Sequence, residues 1–435
     1  MNSLLRFIKR FLPASLVAFL RPSYHMSVAF LAAFFYRFPS RGLVVVGVTG
    51  TNGKSTVVEL LHSILMGAGI PVASASSIRF KINDAEEQNR LKMTMPGRFA
   101  LQKFLSRAKR AGCRHVILEI TSEGIRQFRN RFIFFSAAVL TNVTPEHIES
   151  HGGFEKYIKE KLKFFEQTSK NNGALIVNGD DPNKGRFLAF PAHTKYIYDN
   201  SSIRARTNRE EKRKEISGLR IAGDGIHFVF DGVQFSSPLL GAFNASNIFA
   251  ALSAALFLGI PAGAVAETLK KVSGVPGRFE FIQKEPFAVI VDYAHTPDAL
   301  QKVYETIHTS ILQKTGSKML CVLGAAGGGR DKWKRLELGK IADVYCSEII
   351  LTDEDPYDES PLSILSDIEK GFSKHRTAKK ILDRREAIRA SLASARPGDC
   401  VIITGKGAEP FIMGPNNTKM AWDDRDTVTQ ELQRL

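Results

Sequence analysis

The stretch Gly47-Val-Thr-Gly-Thr-Asn-Gly-Lys-Ser-Thr56 follows the apolar run Leu43–Val46 and precedes a helical periodicity that opens at about Ser55. Glycines in such a turn let backbone N–H groups face a phosphate, and the following helix start adds its positive end. Lys54 is placed to reach terminal phosphates, and a hydroxyl from Ser55 or Thr56 to ligate Mg²⁺. The pattern departs from G-x-x-x-x-G-K-[ST] at one position, where Val48 replaces the first glycine. A ligand-free glycine turn would need none of the strand, lysine, hydroxyls and helix that coincide here.

Outward from this loop, apolar runs Leu43–Val48, Val116–Leu118, Ala137–Leu140 and Leu175–Val177 alternate with helical periodicities. A second series follows Gly274-Val-Pro-Gly277: Val289–Val291, Leu320–Leu323, Ile349–Leu351 and Val401–Ile403. Alternation of this kind predicts an α/β protein: a central P-loop ATPase domain with a mainly parallel sheet, then a C-terminal Rossmann-like α/β domain. The expected boundaries are 1–41 for a basic apolar helical segment, 42–274 for the nucleotide domain and 275–435 for the second. Between the two series, the charged stretch Ser201–Glu215 reads as a surface loop. Asp224-Gly225 and Asp231-Gly232 read as turns of a small antiparallel appendage.

The 435 residues are long enough for about two to three domains. Apolar residues at 44% and charged residues at 24% exclude disordered, collagenous and fibrous classes. A net charge of +16 favours anionic partners, whether nucleotides, nucleic acid, acidic lipids or an acidic small substrate. Cys113, Cys321, Cys346 and Cys400 lie far apart, without C-x-x-C pairs or histidines at zinc spacing. This predicts neither a disulfide framework nor structural zinc, and fits a reducing cytoplasm.

Polar clusters follow most of the apolar runs. Glu119, with Thr121-Ser122 after it, ends a strand beside the phosphate loop, where a magnesium ligand or a solvated strand-end acid belongs. Thr141-Asn142 leads to His147 and His151-Gly152, then to a helix with Tyr157, Lys159, Lys161 and Lys163. Two histidines four apart lack a third zinc ligand, so His147 reads as a single hard-metal or phosphate partner, or as a surface histidine. In the second series, Asp292-Tyr-Ala-His295, Gly324 to Lys332, Thr352 to Pro356 and Gly405 to Glu409 each follow a strand. One such loop is commonly structural, but four at one sheet edge argue for a site.

In order along the chain, the ten segments Gly50-Thr-Asn-Gly-Lys-Ser55, Thr141-Asn142 through Gly152, Asn178-Gly-Asp-Asp-Pro182, Gly241-Ala-Phe-Asn244-Ala-Ser-Asn247, Gly277-Arg-Phe-Glu280, Val291-Asp-Tyr-Ala-His-Thr-Pro-Asp298, Arg330-Asp-Lys332, Asp355-Pro356, Gly405-Lys-Gly407 and Asp423-Asp-Arg425 stand out. Together they resemble the Mur ligase superfamily, the ATP-dependent amide ligases of peptidoglycan assembly. Within it they are most similar to the enzymes adding the third residue of the UDP-N-acetylmuramoyl peptide stem.

The resemblance implies ATP on Gly50, Thr51, Asn52, Gly53, Lys54, Ser55 and Thr56, with Asn142, Asn244, Asn247, Arg278, Asp292 and His295 completing the nucleotide set. It implies one Mg²⁺ near Ser55 and Glu119 and a second near His147 and Lys161, the latter matching a carbamylated lysine. Thr94, Thr121, Ser122, Gln127 and Arg129 match positions that hold the UDP-muramoyl-peptide acceptor. Arg330, Asp355, Gly405 and Glu409 match those that hold the free amino acid. ATP would convert a carboxylate to an acyl phosphate that the amine then attacks. The expected enzyme is a cytoplasmic monomer with no nucleic-acid partner.

Three positions depart from the branch. Only 42 residues precede Leu43, where the branch carries a uridine-binding domain; Glu123 stands in place of a histidine; Tyr357 stands where diaminopimelate-adding members carry an arginine. A folylpolyglutamate synthase-like ligase and a nucleotide-switched P-loop binding protein are the rival readings.

The preface holds six Arg or Lys and no acid, and its longest apolar stretch, Met26 to Tyr36, is shorter than the about 20 residues a membrane span needs. No signal-peptide cleavage pattern follows. Two readings stay open: a peripheral contact with an anionic membrane surface, since such precursors become lipid-linked at the inner leaflet, or helices packed on the ATPase domain. The all-round apolar character of Met26–Tyr36 favours packing.

Overall fold

The structure, a computed structural model, describes residues 14–207, 210–312 and 316–435. Its larger sheet has twelve strands: β1 (Val44–Thr49), β2 (Val72–Ala75), β3 (Arg79–Ile82), β4 (Ala85–Gln88), β5 (His115–Glu119), β6 (Ala137–Leu140), β7 (Ala174–Asn178), β8 (Thr194–Tyr198), β9 (Ser202–Thr207), β10 (Glu211–Ala222), β11 (Gly225–Phe230) and β12 (Val233–Ser237). Their spatial order is β12-β11-β10-β9-β8-β7-β6-β1-β5-β2-β3-β4. The middle, from β8 to β2, is parallel, and both flanks are antiparallel.

Helices cover both faces of the parallel part, which is why its strands read as unbroken apolar runs. Val46 and Val48 of β1 face one core, shared with Val57 and Leu61 and with Phe249; Val45 faces the other, with Phe104 and Phe164. This is the two-residue period of a strand buried on both sides. The covering helices include α1 (Ala14–Phe35), α2 (Lys54–Gly67), α3 (Arg98–Arg110), α4 (Phe154–Lys170) and α5 (Ala242–Phe257).

The second sheet contains β13 (Glu280–Gln283), β14 (Ala288–Asp292), β15 (Met319–Leu323), β16 (Glu348–Leu351), β17 (Lys379–Lys380) and β18 (Cys400–Thr404), in the order β13-β14-β18-β15-β16-β17. All pairs but β13–β14 are parallel. The C-terminal ends of β14, β15, β16 and β18 therefore bring the four polar loops to one edge. Arg384 holds two of them: its guanidinium forms a doubly bonded buried pair with Asp424 and donates to the carbonyls of Asp353 and Thr404.

Two expectations are corrected. Ser201–Glu215 is not a loop but the facing parts of β9 and β10, and the hairpins at Asp224 and Asp231 extend the main sheet. These residues read as loop because their charged side chains are exposed on a ribbon that rises beyond the core. Second, Cys321 and Cys346 form a disulfide, with Cα atoms 6.0 Å apart. Cys346 enters β16 beside its parallel neighbour β15, which carries Cys321, so pairing in space replaces the proximity the sequence lacks.

As expected, α1 packs on α3, and it does so through Ala29, Ala32 and Ala33. Its large apolar side chains, Phe19, Leu20, Tyr24, Phe30, Leu31, Phe34 and Phe35, stay exposed. The part of the preface before Ala14 lies outside the described residues. No helix among the described residues is long and apolar enough to cross a membrane.

Candidate active site

The phosphate loop is built by backbone constraints. Gly50 and Gly53 have φ of +154° and +83°, and a Cβ on either would lie 1.9 Å from Thr141 Oγ1 or 2.2 Å from Asn247 Oδ1. Only glycine fits such positions. Asn142 fastens the loop from both sides: its Oδ1 accepts from the Asn52 amide at 3.0 Å and its Nδ2 donates to the Asn52 carbonyl at 3.1 Å. Lys54, first residue of α2, donates to the Thr51 carbonyl at 2.8 Å and lies 4.0 Å from Glu119.

Ser55 and Glu119 meet as expected, with Oγ to Oε2 at 2.9 Å; Glu119 also accepts from the Ser77 amide at 2.8 Å. A hydroxyl beside a carboxylate is a hard-oxygen pair suited to Mg²⁺, which uses few protein ligands and keeps several waters. No cluster of three or more His, Cys, Asp or Glu that could hold a metal ion occurs among the described residues.

Lys161 is almost completely buried. Its Nζ donates to the Gly50 carbonyl at 2.8 Å and stands 4.5 Å from the Tyr157 ring centre, with no carboxylate in ion-pair range among the described residues. Burial, reinforced by nearby Lys54, pulls its pKa well below that of an ordinary lysine. His147, held at φ 56°, has its pKa lowered to about 2 by burial and then by Arg330 and Lys334; His295 falls to about 3 by burial and Lys334. Both imidazoles are neutral at physiological pH.

The second body closes over the first through polar contacts. Asn52 donates to Asp298 at 2.9 Å, and Arg278 reaches Ser55 and Ser77 at 3.3 Å while stacked 4.0 Å from Tyr293. Lys334 and Glu146, both buried, meet at 3.3 Å. Asp331 accepts from the amides of Ile148 and Glu149 at 3.0 and 2.9 Å.

Between the bodies lies a cavity of about 450 Å³. Its walls bring together Gly50 through Thr56, Thr94, Glu119, Thr121, Ser122, Arg129, Asn142, His147, Lys161, Asn247, Arg278, Asp292, His295, Arg330, Asp355, Gly405 and Glu409. Two expected residues stand behind the wall. Gln127 braces Arg129, whose Nη2 donates to its Oε1 at 2.8 Å, and Asn244 accepts from Asn247 at 3.1 Å.

The Mur ligase middle domain family matches residues 48–255, and the Mur ligase glutamate ligase domain family matches residues 277–407. This chain belongs to the Mur ligase family. It is 34% identical over 423 residues to the UDP-N-acetylmuramoyl-L-alanyl-D-glutamate–2,6-diaminopimelate ligase of Syntrophomonas wolfei, covering 94% of this chain and 82% of that one. It is also 34% identical over 432 residues to the UDP-N-acetylmuramyl-tripeptide synthetase of Roseiflexus, covering 95% and 83%. A solved diaminopimelate ligase of the same name superposes with a TM-score of 0.58 at 28% identity, over 90% of this chain and 78% of the other. The chain is thus an ATP-dependent acid–amino-acid ligase of peptidoglycan precursor synthesis, and the nucleotide-switch reading is set aside.

In this Mur ligase the sequence reading missed Lys92. From the loop before α3, at φ 54°, it donates to Asp355 at 2.8 Å and to Glu409. Lys406, fully buried, bonds the same two carboxylates at 2.8 and 2.6 Å. Burial would raise the Glu409 pKa, but Lys406 and Lys92 overcome it and hold the carboxyl far below its usual range. Lys92 lies 263 and 317 residues from its partners, so no local signal marks it. Tyr357 sits off the cavity wall, where a Cβ on Gly328 would meet its ring at 2.4 Å.

Proposed function

We propose that this enzyme joins the amino group of a free amino acid to the carboxylate of a UDP-muramoyl-dipeptide, with 42–274 as the nucleotide domain and 275–435 as the amino-acid domain. The observation that carries the reading is the single cavity lined by the phosphate loop, by Thr94 and Arg129, and by Arg330, Asp355 and Glu409. Three anionic or zwitterionic reactants thus have complementary walls within one cleft. The monomer would act in the cytoplasm, at the inner face of the membrane.

Lys54 and the loop amides neutralise charge on the transferring phosphoryl group as the acceptor carboxylate attacks it and ADP leaves. Arg129, braced by Gln127, orients the acceptor, and Arg330 orients the amino acid so that its amine attacks the acyl carbon and phosphate departs. Domain closure through Lys334–Glu146 and Asn52–Asp298 keeps water from the acyl phosphate. Ser55 and Glu119 would hold one Mg²⁺ and His147 with Lys161 a second; when bound, these ions screen the phosphates.

Lys161 suits carbamylation because only a neutral amine attacks CO₂, and burial supplies that form. The N–C bond forms, one proton leaves, and a buried cation becomes an anion able to face a metal.

The test is a panel of amino acids offered with ATP to UDP-muramoyl-dipeptide and to folate acceptors, read by mass spectrometry. The expected result is ADP and an amide only when the muramoyl acceptor and an amino acid are both present. Amide formation on folate, or ATP hydrolysis without co-substrates, would overturn the reading.

A further inference from the structure

We infer that the exposed face of α1 is a docking surface for an anionic lipid bilayer. The helix buries Ala29, Ala32 and Ala33 and presents Phe19, Phe30, Phe34 and Phe35: seven of the seventeen large apolar side chains exposed among the described residues belong to this one element. Phe19 is 79% exposed, Phe34 64% and Phe35 69%. The patch continues onto the body, where Phe99, itself exposed, stands 6.3 Å from the Phe35 ring. A soluble monomer rarely leaves so much contiguous apolar surface uncovered.

Charge selects the occupant. No Asp or Glu occurs before Glu59, whereas Arg6, Lys9, Arg10, Arg21, Arg37 and Arg41 do, and the last turn of α3 adds Arg107, Lys109 and Arg110. An apolar helix face with exposed Arg21 on it and exposed Arg37 and Arg41 just past its end matches the acyl and phosphate layers of an anionic leaflet. A second copy of the chain would instead set two cationic rims against each other. The helix does not span; it lies in the interface plane, and Arg21 and Pro22 interrupt its apolar run.

The placement also orients the enzyme. Phe99, which faces Phe35, directly follows Arg98, and Arg98 donates to the Gln127 carbonyl behind Arg129. Docking through α1 therefore holds the acceptor end of the cavity near the lipid surface.

The experiment is flotation of the full chain with phosphatidylcholine vesicles, with and without phosphatidylglycerol, at low and high salt. Expected is flotation with the anionic vesicles alone, weakened by salt, reduced several-fold by Arg21→Glu, and reduced at least about tenfold by the double variant Phe34→Ser/Phe35→Ser. Melting temperature and ligase activity on soluble acceptor should not change, since both side chains are exposed. Absence of flotation overturns the proposal, as does flotation that the double variant leaves intact. A concentration-dependent dimer that the double variant abolishes, without vesicle binding, assigns the face to a second copy and equally overturns it.

Discussion

The two ends of the cavity hold their charges differently. At the phosphate end, Lys54 stands 4.0 Å from Glu119 and Lys161 bonds the Gly50 carbonyl with no carboxylate partner among the described residues, so neither amine is locked in a close ion pair. At the amino-acid end, Lys92 and Lys406 already neutralise Asp355 and Glu409. The first end gains interactions when substrate enters; the second must exchange one set for another. Binding energy is therefore available for catalysis at the phosphate end and is spent on selectivity at the other.

Removing charge at the phosphate end should have the largest effect. Lys54→Ala is expected to lower ATP-dependent turnover by about 10²-fold or more with the fold intact by circular dichroism, because a group that stabilises transferring charge contributes several kcal/mol to the barrier. Lys161→Ala should be similarly inactive yet partly restored by formate or acetate. Failure of rescue, together with an unmodified lysine in an active complex, would remove the carbamate from the account.

Acid separates the ends. His147 and His295, with pKa values lowered to about 2 and about 3, take up fewer protons in the folded chain than in the unfolded one below the ordinary value of 6.5. Their contribution is complete above pH 6.5 and is lost as pH falls, by about 1 kcal/mol per pH unit for each histidine. Glu409, also depressed, begins to lose its contribution only below its ordinary value of 4.5. Urea midpoints at pH 7, 5.5 and 4 should show this order, and His147→Gln should flatten the first part of the decline.

Smaller changes are expected at the amino-acid end. Lys92→Ala leaves Lys406 in place, so KM for amino acids with a cationic tail should fall by roughly 3- to 10-fold, the scale of about 1 kcal/mol for a partly exposed pair. An unchanged KM would mean that Lys92 stays outside the amino-acid subsite. Least of all, Tyr357→Arg should raise the preference for diaminopimelate over lysine, since an arginine fork can take a distal carboxylate and a phenol cannot. A strong diaminopimelate preference in the unaltered enzyme would show that Tyr357 does not relax selectivity for a distal carboxylate.

This contrast also explains what could be read from sequence. The phosphate end is assembled by contiguous residues after one strand, and Gly50, Gly53, Lys54 and Ser55 announce their chemistry by spacing. The loops after β14, β15, β16 and β18 were legible as a group because strand ends share one edge. Lys92 was not, since a lysine in Arg90-Leu-Lys-Met93 looks like any solvated lysine until the two bodies meet. The Cys321–Cys346 bond and the β9–β10 ribbon were hidden for a related reason: both depend on which strands become neighbours. The packing of α1 on α3 was legible in its apolar composition, but which of its residues make the contact was not, because apolar residues on all sides leave the buried face unspecified.

The contact from Asp331 to the amides of Ile148 and Glu149 has one more consequence. These are the opening N–H groups of the short helix Ile148–His151, and they find their acceptor in the other body rather than in a capping residue of their own. Parting of the two bodies strips that cap and returns both amides to water. Hydrogen exchange at these two backbone positions should thus report the opening equilibrium directly, slowing when reactants hold the cleft shut and quickening whenever it breathes.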